Sequence, residues 1–473
     1  MAAGNPTSED GLPEVRFYAL MAVLVLVEVL SSLEASMVVS VLPSLIREFG
    51  DITSAAWVVT AFALMGAVAA AVGGRLGDLF GRRRLLICVV VICGIGSLIS
   101  AVSSDLGLVV LGRTLQGVSG AILPLCYGIV REVASPRRAP LWIGWMTGGF
   151  AFAAAAGYVL GGYLADTGSW RSVFWLTSGY ALLLLPALFL FAPRDRPARG
   201  GRFDWLGALL FAPAIGAVLY GVTQSRSLGW GAPGAWGWVA GGFLVLAFWV
   251  RHELRHDAPL IDVRLLKRRE VALGNLCGGL AALGIMQLPV ISLLLMQQPM
   301  ATGVGLGMTA AAAGLWKLPS NAGSLIASPL SGWISGLRDS RLAMIVGALV
   351  TAGAWLYLLA FHQSRFEVVF GTVLCAFGAA MLMVSIPNLV LEGAPQARSS
   401  EVTGFTSVVR YVFSAVGAQT IALLLATSHA ADPVSGANFP SERAYELTFG
   451  YVALTCLVIV AACLAIRTRG ARA

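Results

Sequence analysis

Six ionisable side chains lie inside long apolar runs: Glu28, Glu34, Arg113, Lys317, Glu392 and Arg410. A charge in hydrocarbon is costly, so such residues pair, titrate or line a path. Glu34 and Arg113 form the strongest candidate pair. Read as helices of opposite direction, the runs near 17–42 and 106–130 place Glu34 about 25 Å from the start of the first and Arg113 about 10 Å from the start of the second. Both then sit at similar depth, in the half away from residue 17. A carboxylate beside a guanidinium stays ionised, and protonating it releases the arginine, which gives a two-state element that a proton can bias. A static salt bridge, or an arginine that bonds loose backbone carbonyls, is the plainer reading of the same residues.

Glu28 lies six residues before Glu34, so the two point about 120° apart on a helix and do not share a face. Glu28 can attract a cation, form a second protonation site or bond a neighbouring hydroxyl. Lys317, just before Pro319, can sit neutral in an apolar pocket, pair with a carboxylate or bind an anionic group. Arg410 serves packing, gating or substrate contact, and Glu392 falls near a run's end. The histidines His252, His256, His362 and His429 read as loop residues. His252 and His256 are four apart, a spacing that can hold metal on a helix, but they read as a solvated helix end, so no metal site is expected. Nucleophile-elbow and phosphate-loop motifs are absent from the sequence. An enzyme is therefore the least supported class, and an ion gradient must supply the energy for any transport.

These residues sit in an unusually apolar chain of 473 residues, 58% hydrophobic and 12% charged, with a mean hydropathy of +0.81. Soluble domains carry roughly 25% charged residues, so lipid must be the solvent for much of this surface. The net charge of +8 is carried by short basic clusters between apolar runs rather than by a nucleic-acid-binding face. The seven cysteines all fall within apolar runs and read as small buried hydrophobes. The polar, partly acidic first fifteen residues are unlike a signal peptide.

Hydropathy gives fourteen candidate spans, near 17–42, 55–75, 85–103, 106–130, 141–165, 172–192, 204–222, 235–251, 270–295, 308–334, 342–361, 366–391, 401–427 and 445–466, with the pair at 204–251 the weakest. With the first loop outside, 24 of the 32 basic residues fall in segments on the side of the N-terminus, 5 on the other side and 3 within spans. That asymmetry predicts both termini in the cytoplasm and an even number of spans. Trp142, Trp145, Trp230, Trp236 and Trp238 lie near span ends, as an aromatic belt would.

After the second span comes Gly74-Arg75-Leu76-Gly77-Asp78-Leu79-Phe80-Gly81-Arg82-Arg83-Arg84. The glycines permit a tight turn and close helix approach, Asp78 can cap a neighbouring helix or pair with an arginine, and the arginines can anchor to headgroups. An ordinary basic loop explains the arginines but not the Gly-x-x-x-Asp-x-x-Gly spacing. The stretch resembles the loop signature of the major facilitator superfamily, with Leu79 in place of a basic residue. Leu33 to Pro43, with Glu34 where Asp is usual, resembles the first-helix motif of its fourteen-helix drug:proton antiporters. Trp57 to Phe62 resembles a second motif, Arg113-Thr114-Leu115-Gln116-Gly117 a fourth-helix motif, and Asp204 to Gly207 and Pro259 to Asp262 the flanks of an extra helix pair. In the fifth helix, Gly157-Tyr158-Val159-Leu160-Gly161-Gly162 carries Tyr158 where the family's antiport motif has proline. Gly157, Tyr158, Gly161 and Gly162 still suit close helix packing, with a weaker kink.

The resemblance implies an all-α membrane fold: a cytoplasmic tail at 1–16, a six-helix bundle at 17–192, a linker with the extra pair at 193–267, a second six-helix bundle at 268–466 and a tail at 467–473. It implies alternating access and proton coupling through Glu34 and Arg113, with Glu28, Gln116, Lys317 and Arg410 as cavity candidates. Gly74, Asp78, Gly81, Arg82 and Arg83 form a conformational gate in this reading. The partners are a small-molecule substrate, protons and membrane lipids, with no nucleic acid and no cofactor, in a monomer of the bacterial inner membrane. Export of lipophilic or cationic compounds leads. A narrow metabolite exporter or importer of the same fold, and a membrane sensor or transport-inactive scaffold, are the other readings.

Overall fold

The computed structural model describes residues 13–49, 52–167, 169–195, 203–228, 233–256, 259, 261–308, 310–337, 339–431 and 438–465. The first half runs α1 Glu14–Phe49, α2 Ile52–Phe80, α3 Arg82–Val102, α4 Leu106–Gln116, α5 Ile122–Val133, α6 Ala139–Thr167 and α7 Arg171–Phe191. A pair follows, α8 Trp205–Leu228 and α9 Pro233–Glu253. The second half runs α10 Arg269–Leu283, α11 Leu288–Gln297, α12 Ala310–Trp316, α13 Leu318–Leu337, α14 Ser340–Ala360, α15 Arg365–Glu392, α16 Ser399–Leu425 and α17 Glu442–Ala465. A two-stranded antiparallel ribbon, His429–Ala431 with Asn438–Pro440, lies between α16 and α17.

Among the described residues, twelve helical stretches are long and apolar enough to cross a membrane. The sequence reading of fourteen thus holds for twelve by this measure. The other two predicted spans are long helices, α9 with 21 residues and α13 with 20. Their composition sets them apart. Helix α9 ends in Arg251, His252 and Glu253, and α13 buries a row of serines: Ser320, Ser324, Ser328, Ser331 and Ser335. Some of these hydroxyls find backbone acceptors, as Ser331 does on the Met381 carbonyl at 2.8 Å.

Three predicted spans are each interrupted. The run near 106–130 is α4 and α5 joined by a 3-10 turn at Gly117–Ala121. That turn presses on α2: a Cβ on Gly120 would stand 2.2 Å from the Gly66 carbonyl oxygen. The run near 270–295 breaks before Pro289, which opens α11. The run near 308–334 breaks between α12 and α13, at Lys317. Continuous apolar composition hides such breaks, because hydropathy reports the environment and not the local hydrogen-bond ring.

The largest buried apolar cluster lies wholly within residues 273–463. A second occupies 17–192, joined only by Val384 and Leu391 from beyond it. Helices α8 and α9 pack on each other, with Phe211, Ile215 and Trp249 meeting Ala67, Ala71 and Val408 of α2 and α16. The halves meet chiefly through α2 on α16 and α6 on α13. The tightest approaches gather toward the end that carries the α2–α3 turn. A Cβ on Gly74 would stand 2.2 Å from the Ser400 carbonyl oxygen, and one on Gly336 would stand 2.4 Å from that of Arg137.

Candidate functional site

The α2–α3 turn is fixed by Gly81, whose φ of 110° suits glycine. A Cβ there would also strike the Asp195 carboxylate, 2.3 Å from its carbon. Asp195 accepts from the Arg83 backbone N–H at 2.8 Å and from that of Arg84 at 3.1 Å, so it holds the first turn of α3. The Arg83 guanidinium donates to the Phe189 carbonyl. Asp78 does two things at once. It accepts from Arg82 Nε at 2.8 Å and from the Glu401 backbone N–H at 3.0 Å, capping α16 of the other half. Arg82 also reaches the Gly128 and Gln396 carbonyls. Arg75 pairs with Glu401 at 3.1 Å, both side chains nearly inaccessible. Glu401 accepts from the Asp262 backbone N–H, and Asp262 pairs with Arg398 at 2.7 Å. Thus Gly74, Asp78 and Arg82 join one polar junction between the halves, while Gly81 and Arg83 of the same motif hold the turn against Phe189 and Asp195 at the end of the first half. Glu401 and Asp195 were not singled out from the sequence, since neither stands in a recognisable pattern. Asp262 had a signal, because it closes the Pro259-to-Asp262 motif.

At depth, the structure brings Glu34 and Arg113 together but not as expected. The Arg113 guanidinium does not pair directly with the Glu34 carboxylate. It donates to the backbone carbonyls of Glu34 and Val58, each at 2.9 Å, and to Gln116 Oε1 at 2.7 Å. Its charge also lies 4.1 Å over the Phe62 ring. The Gln116 amide then donates to Ser97 Oγ, and Ser97 Oγ to Glu34 Oε1 at 3.4 Å. Carboxylate and guanidinium are therefore joined through two intervening side chains. Val58 and Phe62 are one turn apart on α2, and the carbonyl of the first and the ring of the second both engage the guanidinium. Gln116 is a buried link in this chain. Ser97 and Thr177, which donates to Ser97 at 3.1 Å, complete the cluster, and as common hydroxyl residues they gave no sequence signal.

Glu28 is 1% exposed, and neither carboxylate oxygen has a hydrogen-bond partner among the described residues. The cation that acts on it electrostatically is Arg410, from α16 of the other half. Arg410 lines a small cleft with Leu123, Met383, Pro387, Thr406 and Ser407. Lys317 stands apart, its ammonium 3.4 Å from the Pro289 carbonyl. Glu392 meets the Ser340 hydroxyl and backbone N–H at the start of α14.

The fifth-helix motif divides. Gly157 and Gly161 face α1, where added Cβ atoms would meet Ser36 and the Met37 backbone. Gly162 has nothing within 4 Å of such a Cβ, and Tyr158 is 49% exposed. Tyr158 still meets α1 through its carbonyl, which accepts from the Ser40 hydroxyl at 2.9 Å, whereas Gly162 is turned off that face by the 100° step from Gly161. Of the histidines, His252 lies in the last turn of α9 and His256 just past it, the helix end expected of this pair, and His362 lies in the link between α14 and α15, buried against the Leu358 carbonyl at 2.8 Å. Trp230 lies outside the described residues.

Residues 24–418 match the family model of the Major Facilitator Superfamily. The chain is 28% identical over 447 residues to the multidrug resistance protein B homolog of Mycobacterium tuberculosis, covering 89% of this chain and 79% of that one. It is 25% identical to the probable actinorhodin transporter of Streptomyces coelicolor, over 89% and 74%. The solved structure of the proton:xylose symporter XylE aligns with a TM-score of 0.65 and 17% identity, over 94% of this chain and 95% of that one. That likeness concerns the fold. Twelve apolar spans, two helical cores meeting at a polar junction, and a family match across most of the length lead to one conclusion: the chain belongs to the major facilitator superfamily and is a multi-pass membrane transporter of small molecules, not an enzyme.

Proposed function

We propose that this transporter exports lipophilic or cationic compounds in exchange for protons, by alternating access. The observation that carries the reading is the burial of two carboxylates on one helix, Glu28 and Glu34, each 1% exposed. Glu28 lies within electrostatic reach of Arg410 of the other half, and Glu34 is joined to Arg113 through Gln116 and Ser97. Protonating Glu34 weakens the acceptor at the end of that chain, and the change passes through Gln116 to the guanidinium that ties α1 to α2 and α4. Glu28 and Arg410 then supply the charge that a substrate in the cleft meets. The junction around Asp78 and Glu401 acts as the gate.

The wider frame belongs to the same proposal. Bundles at 17–192 and 268–466 rock about the cavity, with 193–267 linking them and α9 and α13 completing fourteen spans. At 21 and 20 residues, those helices are about 30 Å long, enough to cross a bilayer. The charge asymmetry of the loops supports both termini in the cytoplasm, in a bacterial inner membrane, and a monomer suffices. Close approaches toward the gate end support a state closed to the cytoplasm.

Ethidium efflux from energised cells tests this reading, with and without a protonophore, beside Glu34→Gln. Efflux that stops with the protonophore and is lost in the variant is the expected result. Efflux unchanged in Glu34→Gln overturns the coupling role. Absence of efflux in the wild type turns the reading toward a carrier of one metabolite. The exposed Tyr158 and the position of Lys317 at the α12–α13 break favour that second reading.

A further inference from the structure

At the foot of the α8–α9 pair, three side chains of metal-ligand type outside the Glu34 and Asp78 networks converge. His252 and His256 are one turn apart, and the turn continues past the end of α9 through the His256 N–H to the His252 carbonyl at 3.0 Å. Asp204, one residue before α8, enters from the other helix. Its Oδ2 lies 2.7 Å from His252 Nε2 and 3.9 Å from His256 Nδ1. One donor atom from each residue falls within 4.8 Å of the others.

We propose that Asp204, His252 and His256 form a binding site for a divalent transition cation of the zinc class. Two imidazole nitrogens and one carboxylate oxygen form the donor set that such borderline cations favour over magnesium or calcium. Bonds of about 2.0–2.2 Å in a tetrahedron put neighbouring ligand atoms roughly 3.4 Å apart. The two carboxylate–imidazole distances straddle that value, so small side-chain rotations suffice.

The support around the ligands is also built. Asp204 Oδ1 accepts from the Gly207 N–H at 2.8 Å, which fixes the carboxylate and turns Oδ2 toward the imidazoles. Gly207 leaves the room. A Cβ there would stand 2.5 Å from both Asp204 Oδ2 and Glu253 Oε1, so a second carboxylate borders the site. The Asp204 side chain is 2% exposed, while His252 and His256 are 22% and 37% exposed, which leaves an entry path and an open position for water. A bound cation would staple the start of α8 to the end of α9. Past that end, Glu253 accepts from the Ile261 N–H and Asp262 donates to Glu401, so the staple stiffens the chain leading to the gate.

The test uses the full-length, tag-free chain in detergent, stripped with EDTA. Zinc is titrated against a chromophoric chelator, and cobalt replaces it for visible absorption. One equivalent of zinc is expected, with cobalt bands that report nitrogen and oxygen ligands. His252→Gln and His256→Gln should each weaken binding roughly tenfold or more, and His429→Gln should not. Thermal midpoints in EDTA check that each variant folds. Asp204→Asn, whose amide oxygen can still accept from Gly207, gives a second route with the same expected loss. Binding that survives the double histidine variant, loss in His429→Gln, or no zinc uptake by the wild type would each overturn the proposal.

Discussion

The buried polar networks around Arg113 and around Asp78 are built in opposite ways. The deep one, Arg113 with Glu34, Gln116, Ser97 and Thr177, lies wholly within the first half, on α1, α3, α4 and α7, with α2 supplying the Val58 carbonyl. The other, Arg75 and Asp78 with Glu401, Asp262 and Gln396, spans the halves. If the halves rock as bodies, the first network survives intact and the second must break. The contrast separates a place that can hold a proton-dependent charge from one that can hold a conformation. It also explains the bonding style of each. Arg113 is tied mainly to backbone carbonyls that move with it, whereas the junction relies on a side-chain ion pair and a helix cap that can be remade.

Changes that isolate a buried charge should have the largest effects. Arg113→Met leaves the carbonyls of Val58 and Glu34 and the oxygen of Gln116 without their donor, and should cost about 3–5 kcal/mol in detergent unfolding, with transport lost. If this variant is as stable as the wild type, the deep network is not the rigid element described here. Glu401→Gln strips Arg75 of its counter-charge and should cost roughly 3 kcal/mol of closed-state stability. Faster thiol labelling of Ser400→Cys, at a fully buried position, would report the opening. Unchanged labelling would mean that the junction does not hold the halves.

Smaller changes sharpen the contrast between packed and free positions. Gly161→Ala puts a methyl 2.7 Å from the Met37 carbonyl oxygen, and should cost about 1–3 kcal/mol. Gly162→Ala, one residue on, should stay within about 0.5 kcal/mol of the wild type. Equal effects would refute the assigned face of α6. The smallest effect belongs to Glu48, beyond the apolar stretch of α1. Hydrogen bonds from Arg171 and Trp170 hold its carboxyl below the ordinary value. A lowered folded pKa means stabilisation that is present above the ordinary carboxylate pKa and lost as pH falls through the lowered one. Because the Glu48 side chain is 40% exposed, Glu48→Gln should cost under about 1 kcal/mol near neutrality. Variant and wild type should converge in acid, and a gap that persists there would show that the ion pair is not the cause.

Much of this arrangement was legible in the chain. The Gly74-to-Arg84 motif located the junction, because its glycine, aspartate and arginine spacing follows from a tight turn beside a close helix approach. Glu28, Glu34, Arg113 and Arg410 stood out because charge amid apolar residues is rare. Other features were not legible. The partner of Asp78 is a backbone N–H 323 residues away, and Ser97 and Thr177 are residues found in any helix. The break at Gly117–Ala121 leaves hydropathy unchanged.

The sequence alone determined the solvent, the helical class, the family likeness and the short list of buried charges, since composition and spacing are set by what lipid tolerates. Only the tertiary structure decided who meets whom. It gave Arg113 to carbonyls on α1 and α2 rather than to a carboxylate, set Glu401 beneath Asp78, and drew Asp204 beside two histidines 48 and 52 residues on. Hydrogen bonds and ion pairs act over a few ångströms, and the helix packing that brings distant residues within that range leaves no local trace in the chain.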